Sequence, residues 1–195
     1  MALDFTFSPE QEAVRETVRR FCREEIAPLV AEAEETETFP RKLFRQWGEM
    51  GLIGARYPVA DGGTGMDKVT ECIVREELSA VCQAFASSWS AHSHLGIWPI
   101  WRAGTASQKE RFFRPALAGE KIAAFGLSEP DGGSNVRALK TRAARVDGGW
   151  LDGSKLYITN SPIADFAPWP RAHARRVTID AISLFDQFEC PAREL

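Results

Sequence analysis

Residues 122–160 read IAAFGLSEPDGGSNVRALKTRAARVDGGWLDGSKLYITN, and this stretch decides the fold. Three apolar or alternating runs, 122–127, 141–146 and 155–159, stand out in it; turn signals, DGG at 147–149 and DG at 152–153, separate the later runs. Short alternating runs punctuated by Asp-Gly predict antiparallel strands, because that dipeptide tolerates the positive-φ backbone of a tight hairpin. Between the first two runs lies SEPDGGS at 128–134, which is poor in core residues. Adjacent glycines let a backbone approach a ligand closely, and the flanking hydroxyls can donate or accept. The segment is therefore a loop at a strand end, equipped to hold a polar ligand. Taken alone, a glycine-rich loop is more often an ordinary connection.

The chain upstream reads as helix. SPEQ at 8–11 supplies an N-cap serine, a proline at the first helical position and a capping-box glutamine. Val14, Val18, Phe21, Cys22, Ile26 and Leu29 then recur at helical spacing, and Pro28 is expected to kink or end the helix locally. The acidic run 32–37 reads as a solvated helix end. A second helix starts near Pro40, with Leu43, Phe44, Trp47 and Met50 on one face and Gly51 to stop it. DGGTG at 61–65 lacks the Gly-Lys-Ser/Thr ending of a phosphate loop and the strand–GxGxxG–helix order of a dinucleotide fold, so it reads as a turn. Asp67 caps a long helix expected to run to about Trp89, and 91–102 continue as helix. His92 and His94 in that segment point ~200° apart on a helix and cannot chelate one metal; no metal site is expected. TASQ at 105–108 opens the last helix, which Gly119 closes.

The fold class is thus α+β: an all-α N-terminal domain over 1–120, followed over 121–195 by an incomplete antiparallel β domain. The chain has 195 residues, 44% of them hydrophobic, enough for one large core or two small ones. A net charge of −3 implies no general attraction to nucleic acid. No apolar run approaches the ~18–20 residues of a membrane span, and MALDFTFSPEQ resembles neither a signal nor a transit peptide. Cys22, Cys72, Cys82 and Cys190 are scattered, which reads as free thiols in a reducing, cytoplasmic setting.

This order, with the particular residues of the opening stretch, resembles the acyl-CoA dehydrogenase family. The resemblance is carried by FGLSEPDGGS at 125–134, KTRA at 140–143, DGSK at 152–155 and YITN at 157–160. The family pattern is an apolar run, Thr/Ser-Glu-Pro, a short variable piece and Gly-Ser-Asp, then a hairpin ending Asn-Gly-x-Lys-x-Trp-Ile-Thr-Asn. Upstream, EMGLIG at 49–54, GGTGM at 62–66, EELS at 76–79 and residues 104–115 resemble the family's helical domain.

The resemblance implies FAD as cofactor and an acyl-CoA substrate, oxidised to the trans-2-enoyl-CoA. In the family a carboxylate removes the α-proton while the β-hydrogen leaves as hydride, and hydrogen bonds polarise the thioester carbonyl. It also implies an electron-transfer flavoprotein as partner and a homotetramer for an intact member. The compact N-terminal part favours short or branched acyl groups.

Residue by residue, Phe125, Leu127, Ser128, Gly133, Ser134, Tyr157, Ile158 and Thr159 are expected to bind the cofactor, with Ser134 also reaching the CoA arm. Ser128 matches the hydroxyl at the isoalloxazine edge, Thr159 the one at N5, and Tyr157 the aromatic beside the ring. Glu129 matches a structural position of the family and is not assigned as a base.

Three departures stand out. Asn135 replaces an aspartate, and Tyr157 replaces a tryptophan and adds a hydroxyl in need of a partner. In FAPWPRAHARR at 166–176, two prolines two apart and a basic run replace an apolar strand, and the prolines are expected to bar strand pairing there. AISLF at 181–185 resembles a family strand again. The expectation is a truncated or locally frame-shifted chain without the C-terminal bundle that supplies the family's catalytic glutamate, so no catalytic residue is assigned. The alternative is a non-catalytic flavin- or CoA-binding fragment, or a subunit that needs a partner chain.

Overall fold

The computed structural model describes residues 6–144, 150–170 and 182–185. The chain forms two compact units, Met1–Ser90 and Ala91–Leu195.

In the first unit, α1 (Pro9–Phe21) begins on a complete capping box. The Ser8 hydroxyl accepts from Gln11 N–H, and the Gln11 side chain accepts from Ser8 N–H. The helix does not end before Pro28. A π-helical turn, Cys22–Ile26, leads into α2 (Ala27–Thr36), with Ala27 N–H bonded to Cys22 O five residues back. Proline lacks the N–H of the regular ladder and its ring crowds the preceding turn. One wider turn absorbs both defects, and the helix carries on. α3 (Lys42–Glu49) presents Leu43, Phe44 and Trp47 inward, all fully buried. Phe39 stacks obliquely on Phe44 at 5.5 Å and meets Phe85 edge-on at 5.1 Å.

Asp67 caps α4 (Lys68–Val81), accepting from Thr70 N–H. The expected single helix to Trp89 is broken: Cys82 is extended (φ −155°, ψ 111°), and α5 (Gln83–Ser90) restarts after it. No proline or glycine marks that break in the sequence. α1 packs on α4 through Glu77, which takes a bidentate pair of hydrogen bonds from Arg19 at 2.8 and 2.9 Å and lies 3.3 Å from Arg15. Burial pushes the Cys22 thiol beneath them up to about 12, which keeps it an unreactive core group.

The second unit opens on a π-helical turn, Ala91–Gly96, followed by α6 (Trp98–Ala103) with Pro99 at its start. α7 (Ala106–Gln108) starts on the Thr105 capping box. A third π-helical turn, Lys109–Phe113, precedes α8 (Arg114–Leu117) and Pro115. All three wide turns thus lie just before a proline, which points to one common cause.

Four short strands follow. β1 (Arg142–Ala144) pairs antiparallel with β2 (Trp150–Asp152); the turn signal at 147–149 lies outside the described residues. β3 (Ala167–Pro170) pairs antiparallel with β4 (Ile182–Phe185), the latter at the strand expected from 181–185. The strands therefore form two separate two-stranded ladders. The run 155–159 is not strand: Tyr157 has φ 57°.

The prolines of β3 overturn the expectation that they bar pairing. Phe166 N–H donates to Ile122 O, Ala124 N–H to Phe166 O, and Gly126 N–H to Pro168 O. Residues 166 and 168 therefore turn their polar backbone atoms toward 122–126. Alternation along a strand leaves Ala167 and Trp169 to face β4. Prolines two apart share one edge, and that edge is not the one β4 uses. Residues 171–181, with the basic run, lie outside the described residues, as does Cys190.

His92, fully buried, joins three pieces of this unit. Its Nε2 lies 3.0 Å from Ala116 O in α8, and its Nδ1 accepts from Ala123 N–H at 2.9 Å. The imidazole is therefore neutral, with its proton on Nε2. Gly96 lets the π-helical turn approach closely, since a Cβ there would sit 2.6 Å from the Ala123 Cβ. Cys22, Cys72 and Cys82 are free thiols. No helix among the described residues is long and apolar enough to cross a membrane, and none of those residues form a cluster suited to a metal ion.

Burial holds the His92 pKa down at about 4, against the pull of Ala116 O, Asp165 and Ala123. A lowered pKa means the unfolded chain binds the extra proton first. Stability is then full above ~6.5 and falls as pH drops toward 4, by about 2 kcal/mol at pH 5. Urea denaturation at pH 7 and pH 5 measures this, and His92→Gln abolishes that part of the pH dependence.

Candidate functional site

Residues 122–129 form an extended segment with neighbours on both sides. On one side lies β3, through the bonds already described. On the other, Lys155 Nζ donates to Leu127 O at 3.0 Å, Leu156 N–H to Ser128 O at 2.9 Å, and the Asn160 amide to Ala123 O at 3.3 Å. These three contacts set 123–128 and 155–160 side by side, running in opposite directions. Phe125, Leu127 and Ser128 thus share one stretch with Tyr157, Ile158 and Thr159. Asn160 reaches its place through a left-handed backbone (φ 71°), which asparagine tolerates.

Past Ser128 the chain turns back at once. Glu129 and Gly132 exchange backbone hydrogen bonds of 2.7 and 3.1 Å across Pro130 and Asp131. This tight turn returns Gly133 beside Ser128, where an added Cβ would lie 3.4 Å from the Ser128 hydroxyl. Ser134 follows, exposed. At the outer rim, Lys140 pairs with Asp131 at 2.5 Å.

Beneath the loop sits a buried polar hub. The Glu129 carboxylate accepts from Lys140 N–H (2.5 Å), Thr141 N–H (3.0 Å), the Thr141 hydroxyl (2.5 Å) and the Lys155 ammonium (2.9 Å). The side chains of Glu129 and Lys155 are only 5% and 3% exposed. Burial alone raises the Glu129 pKa, but the four hydrogen bonds outweigh it and hold the carboxyl at about 2. Lys155 is drawn below its usual value by burial, with Glu129 opposing the shift. Both Glu129 oxygens are engaged inward, so the group is a poor proton acceptor. Gly153 passes so close to this hub that a Cβ would lie 2.4 Å from the Thr141 hydroxyl.

Above the hub the picture reverses. Among the described residues, the hydroxyls of Ser128, Ser134, Tyr157 and Thr159 make no hydrogen bond, and Tyr157 is 94% exposed. The partner expected for the Tyr157 hydroxyl is thus solvent. The buried groups beneath the loop are hydrogen-bonded, whereas these four hydroxyls lie at exposed or half-buried positions.

Two domain descriptions match this chain: "Acyl-CoA dehydrogenase, N-terminal domain" over residues 8–120, and "Acyl-CoA dehydrogenase, middle domain" over 124–178. The chain belongs to the acyl-CoA dehydrogenase family. It is 39% identical over 165 residues to benzylmalonyl-CoA dehydrogenase of Aromatoleum aromaticum, covering 84% of this chain and 44% of that protein. It is 40% identical over 164 residues to the short-chain specific acyl-CoA dehydrogenase of Clostridium acetobutylicum, covering 84% and 43%. Among solved structures, glutaryl-CoA dehydrogenase of Mycobacterium smegmatis in complex with FADH2 superposes with a TM-score of 0.85 at 30% identity, covering 92% of this chain and 46% of that one. The chain spans less than half the length of these relatives.

The structural position expected for Glu129 is the centre of the hub, while its partners carried no expected role. Thr141 and Lys155 stood in the quoted motifs without a role, and His92 was weighed only as a metal ligand. A lysine and a glutamate outside helices and strands carry no periodic signal; only their shared burial identifies them as a pair.

Gly153→Ala forces apart the Thr141 contact beside the hub. The expected loss is about 2 kcal/mol of stability, read as a lowered urea midpoint.

Proposed function

We propose that this chain provides the flavin-binding wall of an FAD-dependent acyl-CoA dehydrogenase, a protein that forms the 2,3-double bond of an acyl-CoA thioester. The observation that carries the reading is the row of unpaired hydroxyls on a loop whose buried face is fully hydrogen-bonded. Such a row fits the flavin: Ser128 and Thr159 would bind the ring's polar edge, Tyr157 would cover the ring, and Phe125, Leu127 and Ile158 would flank it. Gly133 would admit the cofactor's close approach, and Ser134 would contact the CoA arm. When bound, FAD supplies the two-electron acceptor.

In this reading the residues of the chain bind and orient. Glu129 takes no part in proton transfer, because both its oxygens are engaged by buried donors that hold its pKa at about 2. We further assign 1–120 to the helical domain and 121–195 to part of a barrel-like β domain, of which the two ladders are pieces. Reoxidation by an electron-transfer flavoprotein and tetrameric assembly belong to the same proposal, as does a short or branched acyl group; the Clostridium relative's description supports the last.

Titration of the purified chain with FAD, followed by flavin fluorescence quenching, tests the proposal. Ser128→Ala and Thr159→Val each remove one hydroxyl that the ligand would use. Each is expected to weaken binding by about tenfold, the equivalent of one well-placed hydrogen bond. Unchanged affinity in both variants contradicts the assignment.

A further inference from the structure

We propose that Lys155 is a positioning residue for the bound flavin, acting through the Leu127 carbonyl and Glu129; this rests on the flavin-wall reading above. The ammonium holds two groups at once, Leu127 O at 3.0 Å and Glu129 Oε1 at 2.9 Å. Those two residues bracket Ser128. Its own chain neighbours, Leu156 and Tyr157, lie beside Ser128 and carry the exposed ring. Together with the Leu156 N–H to Ser128 O bond, one buried cation thus braces the spacing between the hydroxyl and the aromatic that a planar ligand would meet together.

No other described cation can take its place. Lys140 donates only its backbone N–H to Glu129, its ammonium being engaged with Asp131. Thr141 satisfies Glu129 without reaching Leu127 O. A methionine at 155 keeps the length and apolar stem but frees both acceptors. The Leu127 carbonyl is then unheld, and the Ser128–Tyr157 spacing rests on the Leu156 N–H to Ser128 O bond alone. Because Lys155 and Glu129 act as one unit, their substitutions are non-additive.

The test is a double-mutant cycle on FAD affinity with Lys155→Met, Glu129→Gln and the double variant. The visible circular dichroism of bound flavin is read at saturating FAD, and far-ultraviolet circular dichroism confirms that the helices persist. Lys155→Met is expected to raise the FAD Kd by about tenfold or more and to alter the flavin band shape. The double variant is expected to bind no more weakly than Lys155→Met alone. A wild-type chain that binds FAD, beside a Lys155→Met chain that binds equally with an unchanged spectrum, overturns this inference and leaves the flavin wall standing. Fully additive losses also overturn it. A wild-type chain that does not bind FAD overturns the flavin wall itself.

Discussion

The Glu129–Lys155 pair is the constraint on which the second unit's loop region depends. Burying two opposite charges costs several kcal/mol per ion, and attraction offsets that cost only when the remaining hydrogen-bonding capacity is filled. Here much of it is used: the carboxylate takes four hydrogen bonds, and the ammonium gives one to Glu129 and one to Leu127 O. The pair joins three segments distant in sequence, around residues 127–129, 140–141 and 155–156. These bonds tie the loop down from beneath and leave the hydroxyls of Ser128, Ser134, Tyr157 and Thr159 out of the hub.

His92 makes a second junction of the same kind. It holds the start of the extended segment at Ala123 against α8 by using both ring nitrogens. The two junctions bracket residues 123–129, one at each end. Between them Ile122, Ala123 and Ala124 are buried, and β3 supplies the hydrogen bonds along one edge. A segment fixed at both ends and along one edge is suited to carry binding groups, since little ordering entropy is lost when a ligand arrives.

Much of this was legible in the sequence, for identifiable reasons. Capping boxes at Ser8 and Thr105, and the cap at Asp67, are local signals that survive folding unchanged. The apolar face of Leu43, Phe44 and Trp47 is periodic and became core. The passage of the first helix beyond Pro28 was not legible, because a π-helical turn leaves no trace in composition. Pairing through Pro168 and Pro170 was misread because proline was judged by its presence, when its position relative to the paired edge decides. In the candidate site, the motif residues of 125–134 and 157–159 are legible as a group, and the contacts of 123–128 with 155–160 set those segments side by side. The hub beneath was hidden because its members are joined only in three dimensions.

Amide hydrogen exchange of the chain, recorded with and without FAD, tests most directly whether the 125–134 loop and the 157–159 run form one ligand-facing wall. FAD is expected to slow exchange within 125–134 and 155–160 and to leave α1 and α4 unchanged. Slowing confined to the helical residues 9–90, with none in those two segments, would contradict it.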